Sequence, residues 1–142
     1  MRIDGGCHCG FITYEAEADP EKATICHCSD CQRLSGSAFR TVVPVESSSF
    51  RMSGTPTIYV KTGESGSKRE QSFCPKCGSP IYSAPPGEDP RLLFLRVGTI
   101  NQRDRFVPRL QIWARSQQPW VDDLADGRKI EKQEMPGLAP QR

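Results

Sequence analysis

The chain is 142 residues long, the size of one ordinary domain, and its 19 basic and 17 acidic side chains leave a net charge of +2. That balance, with no run of five or more lysines and arginines, argues against a nucleic-acid partner, and no apolar stretch approaches the ~20 residues needed to span a bilayer. Hydrophobic residues make up 36% and aromatics 8%, while glycine and proline number 12 each; a lean core with many turns points to a mainly β fold held by an additional staple.

In chain order, residues 11–18 alternate loosely and are rich in β-formers, which predicts a strand that Asp19-Pro20 ends. Residues 22–27 read as a second strand delivering Cys26. Ser29 followed by Gln32 is the pattern of a capping box and predicts a short helix over about Asp30 to Leu34, ended by Ser35-Gly36-Ser37. Strands are expected over 38–45, over Phe50–Met52 and over 57–61, with 62–70 a loop or hairpin tip. Cys74-Pro75-Lys76-Cys77-Gly78 is a metal-knuckle sequence, and 81–83 reads as a strand leaving it. After the loop 84–90, the most hydrophobic run, 92–97, is the candidate central strand, and 110–113 the last one. Residues 1–133 are expected to form one domain and 134–142, with Pro136, Gly137 and Pro140, a loose tail.

Seven cysteines in a chain of this size suit either a secreted disulfide scaffold or an intracellular metal protein. Residues 1–6 carry no apolar signal core, and an odd cysteine number fits poorly with complete intrachain pairing. The expectation is therefore a cytoplasmic protein with reduced thiols that serve metals. The cysteines fall into three clusters: Cys7 and Cys9; Cys26, Cys28 and Cys31; Cys74 and Cys77. Zinc takes four tetrahedral ligands, so seven thiolates complete one site and leave the other a ligand short.

A turn as compact as Cys26–Cys31 can wrap three corners of one metal. The two pairs then complete each other and close a loop of more than 60 residues, which removes much unfolded-chain entropy. The rival partition joins Cys7 and Cys9 with Cys26 and Cys28 and leaves Cys31 with Cys74 and Cys77. The three-thiolate site is the chemically open one: zinc there would keep a position for water or substrate, and its soft ligand set suits an incoming thiolate. Cys31 also falls near the start of the predicted helix, where N–H groups favour a thiolate. Plainer readings are a structural role for the three-cysteine cluster too, with His27 or a distant residue as fourth ligand, and metal-free redox thiols. His8 and His27 each lie between two cysteines, which turns their side chains away from the metal their neighbours bind.

Three segments now carry a family resemblance: Gly5-Gly6-Cys7-His8-Cys9-Gly10, the run from Cys26 to Phe39, and Phe73 to Ser79. Together with Val97-Gly98-Thr99-Ile100, Ile112-Trp113 and Pro119-Trp120, they resemble the glutathione-dependent formaldehyde-activating enzyme family, which also contains centromere protein V. The resemblance covers about residues 5–124. It implies an Mss4-like fold of several small coiled antiparallel β-sheets organised around zinc, with at most one or two short helices. It implies two zinc ions, a structural one on Cys7, Cys9, Cys74 and Cys77 and a second, catalytic one on Cys26, Cys28 and Cys31. The implied activity is that of a carbon–sulfur lyase acting on S-hydroxymethylglutathione, or a related adduct of a thiol and an aldehyde. Asn101 and Gln111 depart from residues common in the family, aspartate and histidine respectively, at positions that bear on substrate.

On this reading Cys26, Cys28 and Cys31 hold the catalytic metal, and Arg33, Ser35, Gly36 and Ser37 are candidate contacts to the thiol substrate, glutathione. Arg40 is a further candidate for a carboxylate, and Phe39 and Trp113 for pocket walls; surface solvation, a helix-ending turn and core packing are the ordinary roles of such residues. The expected partner is a small thiol–aldehyde adduct, with no nucleic acid and no membrane. The alternatives are a non-catalytic carrier or sensor of the thiol, and an interaction protein in which both metals are structural.

Overall fold

Alternation of apolar and polar side chains along short segments sorts ten strands into two sheets. The computed structural model describes residues 1–87 and 89–133. Its strands are β1 (Arg2–Gly6), β2 (Thr13–Glu17), β3 (Thr24–Cys26), β4 (Arg40–Glu46), β5 (Arg51–Ser53), β6 (Thr57–Thr62), β7 (Lys68–Phe73), β8 (Pro80–Ala84), β9 (Leu92–Arg96) and β10 (Leu110–Ile112). One α-helix, α1 (Ser29–Ser35), follows β3, and the remaining helical segments are 3-10 turns. The tail expected over 134–142 lies outside the described residues. No helix among the described residues is long and apolar enough to cross a membrane.

β1, β2 and β5 form one antiparallel sheet, and the other seven strands run in the order β10-β3-β4-β9-β8-β7-β6. β9, the most hydrophobic run, is the middle strand of the seven, as its composition predicts. All pairs are antiparallel except β10 with β3. The core lies between the sheets: Ile3, Ile12, Tyr14, Val43, Val45, Ile81, Leu95 and Ile100 are buried there together with Cys74. A cysteine of the knuckle sequence thus sits in the hydrophobic core itself.

Two departures from the expected elements have physical causes. β1 carries Gly5 and Gly6, which have no strand propensity of their own. It forms because Tyr14 and the Thr99 carbonyl press on Gly5 so closely that any Cβ there would collide with both. The predicted tip 62–70 is shorter than expected, because β7 begins at Lys68 and pairs with β6 through Thr62↔Lys68. A polar hairpin arm reads as loop in the sequence, since neither face of β6 is deeply buried. Gly5→Ala is expected to destabilise the protein by about 3 kcal/mol through overpacking against backbone. Urea unfolding checks this, and a loss below about 0.5 kcal/mol would mean that the contact is not tight.

Candidate metal centres and the adjoining cleft

The first sulfur group is made by two turns of similar design. In the Cys74–Ser79 turn, the Gly78 amide donates to Cys74 O at 2.9 Å and the Cys74 amide to Ser79 O at 3.0 Å. The Lys76 amide points at Cys74 Sγ, at 3.4 Å. The left-handed backbone at Gly78 (φ 79°) closes this turn. In the Cys7–Ile12 turn the Cys7 amide donates to Ile12 O at 3.0 Å, and the Ile12 amide donates to Cys7 Sγ at 3.2 Å. The His8 amide donates to Ser79 Oγ at 3.0 Å and ties the turns together.

The sulfurs of Cys7, Cys9, Cys74 and Cys77 lie within 4.8 Å of one another. Cys7 to Cys9 is 3.6 Å and Cys9 to Cys74 is 3.8 Å. Four sulfurs at ~2.3 Å from a central ion form a tetrahedron with edges of about 3.8 Å, so the spacing fits a thiolate-bound metal. It excludes a disulfide, whose sulfurs are ~2.05 Å apart, and all seven cysteines are free. The Ser79 hydroxyl and amide pull the Cys77 thiol down to about 5. Cys9 goes up to about 11 despite the Phe11 amide, because desolvation and its neighbouring thiols oppose a further charge.

The second group is placed by β3 and α1. β3 ends in Cys26, Cys28 caps the helix, and Cys31 lies in its first turn. The expected capping box is displaced by one residue: Cys28 Sγ, in place of the Ser29 hydroxyl, accepts from the Cys31 amide at 3.3 Å. Gln32 does not reach back to the cap. Its Nε2 donates to His27 O at 2.8 Å and Ser116 O at 3.0 Å, which pins the cysteine turn to the segment after β10. The three sulfurs lie within 4.8 Å of one another, and no further His, Cys, Asp or Glu among the described residues joins them.

His27 is fully buried and turned away; its Nε2 bonds Gln111 Oε1 at 2.6 Å and its ring meets Phe39 edge-on at 5.7 Å. Gln111 therefore orients the ring between two of the cysteines. Cys31 is pulled down to about 5, first by the hydrogen bond from Cys26, against burial, and then by the Arg40 charge. Cys26 is pushed well up by the same Cys31 contact and by burial. The opposite shifts come from the closeness of the two sulfurs, and a metal bound there would release the thiol protons.

A cleft of about 770 Å³ opens at Cys28, between the start of α1 and the β6–β7 hairpin. Its walls include Ser29, Asp30, Lys61, Arg69 and Trp113. Lys61 Nζ contacts Asp30 Oδ2 at 2.9 Å, and the Arg69 guanidinium lies over the Phe94 ring at 5.0 Å. Trp113 holds φ 54°, the one positive φ outside glycine among the described residues. Such a conformation is strained for an aromatic residue, and here it falls on a cleft wall.

Of the residues expected from sequence, Cys28 and Trp113 line this cleft. Arg33, Ser35, Gly36 and Ser37 are exposed toward the other end of α1 and do not. Gly36 is the left-handed C-cap (φ 63°), and Ser35 Oγ bonds Gln32 O at 3.4 Å, so both have work in ending the helix. Arg40 is buried. Lys61 and Arg69 carry no signal in the linear sequence, because they sit in the segment that reads as strand end and loop; only the hairpin's position brings them to Cys28.

Fold and sulfur geometry together define a mainly β protein with two cysteine groups able to hold metal ions. Residues 2–116 match the family model described as glutathione-dependent formaldehyde-activating enzyme, and the chain belongs to that family. A solved crystal structure of a Rhodobacter sphaeroides protein is similar over 76% of this chain and 98% of that one, with a TM-score of 0.57 and 22% identity. That likeness concerns the fold. No curated protein matches the chain.

Proposed function

We propose that this protein is a zinc-dependent carbon–sulfur lyase that makes or breaks the adduct of formaldehyde with glutathione or a related thiol. The observation that carries the reading is a three-sulfur group that no fourth His, Cys, Asp or Glu among the described residues joins, one of whose members, Cys28, lies in the wall of a cleft of peptide size. Cys7, Cys9, Cys74 and Cys77 would hold a structural zinc, and Cys26, Cys28 and Cys31 a catalytic one. Zinc on three protein ligands would supply Lewis acidity and an open position suited to a soft ligand.

The residues of the cleft do the rest. Lys61 and Arg69 present positive charge to a carboxylate of the tripeptide, and Trp113 limits how it lies. In the synthetic direction the thiol sulfur attacks the aldehyde carbon. A C–S bond forms, the C=O π bond breaks, and the thiol proton ends on the new hydroxyl. Glu64 is the carboxylate of the cleft wall available to carry that proton, because Asp30 is held by Lys61.

Exchange NMR on glutathione and formaldehyde tests the reaction. The zinc-loaded protein is expected to accelerate interconversion at least about a hundredfold over the spontaneous rate, the range of one well-placed acid–base and electrostatic contribution. Binding of the adduct with interconversion at the spontaneous rate would instead make the protein a thiol carrier. Lys61→Ala and Arg69→Ala are each expected to raise KM about tenfold, equivalent to ~1.4 kcal/mol, with kcat nearly unchanged. Steady-state kinetics decide it, and an unchanged KM in both would remove the cleft from the substrate site.

A further inference from the structure

A second cavity lies beside the three-sulfur group and has two arginines in its floor. Arg40 and Arg96 are 6% and 7% exposed. Arg40 is paired across β3–β4 with Cys26, and Arg96 ends β9 opposite Val42. Both line a cavity of about 240 Å³ together with Gln71, under a rim that includes Leu34, Tyr59 and Gly78.

The hydrogen bonding of these arginines is incomplete. Gln71 Oε1 accepts from Arg40 Nη1 at 3.2 Å and from Arg96 Nη2 at 2.8 Å. One oxygen thus serves two groups that each carry five N–H donors. Both Nε atoms are buried without a partner. The charge is also incomplete. The ion pairs among the described residues all lie elsewhere, so no carboxylate answers either guanidinium. Three thiolates around a divalent ion leave one negative charge, and two arginines leave one positive charge over. Arg69, in the wall of the neighbouring cleft, adds to the excess: burial, then the charges of Arg40 and Arg69, hold Arg96 down to about 9. Buried cations require anions, and the sulfur group alone does not balance these.

We propose that the cavity floored by Arg40, Arg96 and Gln71 is a carboxylate subsite, taking one monoanion whose two oxygens bridge the guanidiniums. A carboxylate fits because it offers two acceptors in the plane that arginine forks match, and Gln71 holds both forks turned toward one point. The ligand is either an arm of the thiol substrate reaching past the metal centre or a separate small carboxylate. Only the first source rests on the proposed reaction; the subsite itself does not.

The test is the thermal midpoint of the metal-loaded protein in sodium acetate against sodium chloride at equal ionic strength. Acetate is expected to raise it in proportion to the logarithm of its concentration above the dissociation constant, and chloride is not. Arg96→Gln is expected to weaken acetate at least tenfold. Gln71→Glu supplies its own carboxylate between the two arginines; it is expected to raise the midpoint in chloride and abolish the acetate effect, and it decides the matter should Arg96→Gln not fold. Equal midpoints in the two salts, or an acetate effect that survives in Gln71→Glu, overturn the proposal. Calorimetry with glutathione and with its glycyl ethyl ester then separates the sources. A tenfold weaker ester assigns the subsite to the glycyl arm; equal affinities that acetate weakens by competition assign it to the γ-glutamyl carboxylate, and equal affinities that acetate leaves unchanged assign it to a free carboxylate.

Discussion

Cys74→Ser is expected to leave a chain that does not fold. Cys74 is fully buried in the core cluster, and its sulfur is 3.8 Å from that of Cys9, 65 residues earlier. A metal held there joins the turn after β1 to the turn between β7 and β8 and closes most of the chain between them. Binding of a structural zinc is worth ~10–16 kcal/mol, while the whole stability of a domain is ~5–15 kcal/mol. Losing one thiolate from such a site therefore removes a quantity comparable with the total. Near-UV circular dichroism, NMR dispersion and zinc per chain measure it. A cooperative transition near the wild-type midpoint, with that metal missing, would show that the four-sulfur group does not hold the fold.

The second large effect is expected at Cys28→Ser, with the opposite pattern. Here the fold should survive, because serine is itself a favoured N-cap and replaces the sulfur that accepts from the Cys31 amide. Metal content should fall from about two ions per chain to about one, since three ligands are already the minimum for a protein-held zinc. Interconversion of the formaldehyde adduct should fall to the spontaneous rate. Atomic absorption, far-UV circular dichroism and exchange NMR report the three parts separately. Two ions retained with the full rate would place the chemistry somewhere other than this group. The contrast between the two substitutions is the contrast between a sulfur in the core and one in the wall of a cleft.

Several features were legible because their chemistry is local. A Cys-x-Cys and a Cys-x-x-Cys delimit what a single turn can bring to one ion, so the three clusters declare themselves within a few residues. The apolar run 92–97 marked the middle strand because a strand covered on both faces needs no polar alternation. The helix at Cys31 was visible in the turn signals around it, although its cap proved to be a thiol. A rule that looks for oxygen acceptors reads past a sulfur that has the same geometry.

Other features depend on strand order, and no spacing reports them. Arg40, Gln71 and Arg96 come from β4, β7 and β9, with Gln71 31 and 25 residues from its two partners. Arg40 alone reads as a candidate for a carboxylate, but nothing in the sequence joins it to Gln71 and Arg96. Lys61 meets Asp30 across 31 residues, and Trp113 stands in the cleft wall on a left-handed backbone. By itself the sequence determined which thiols are candidates for a metal, because ligand identity and short spacing are written in adjacent residues. Tertiary structure alone decided what surrounds those atoms. Burial of a charge and the shape of a cavity are properties of the whole sheet, set by which strands lie side by side.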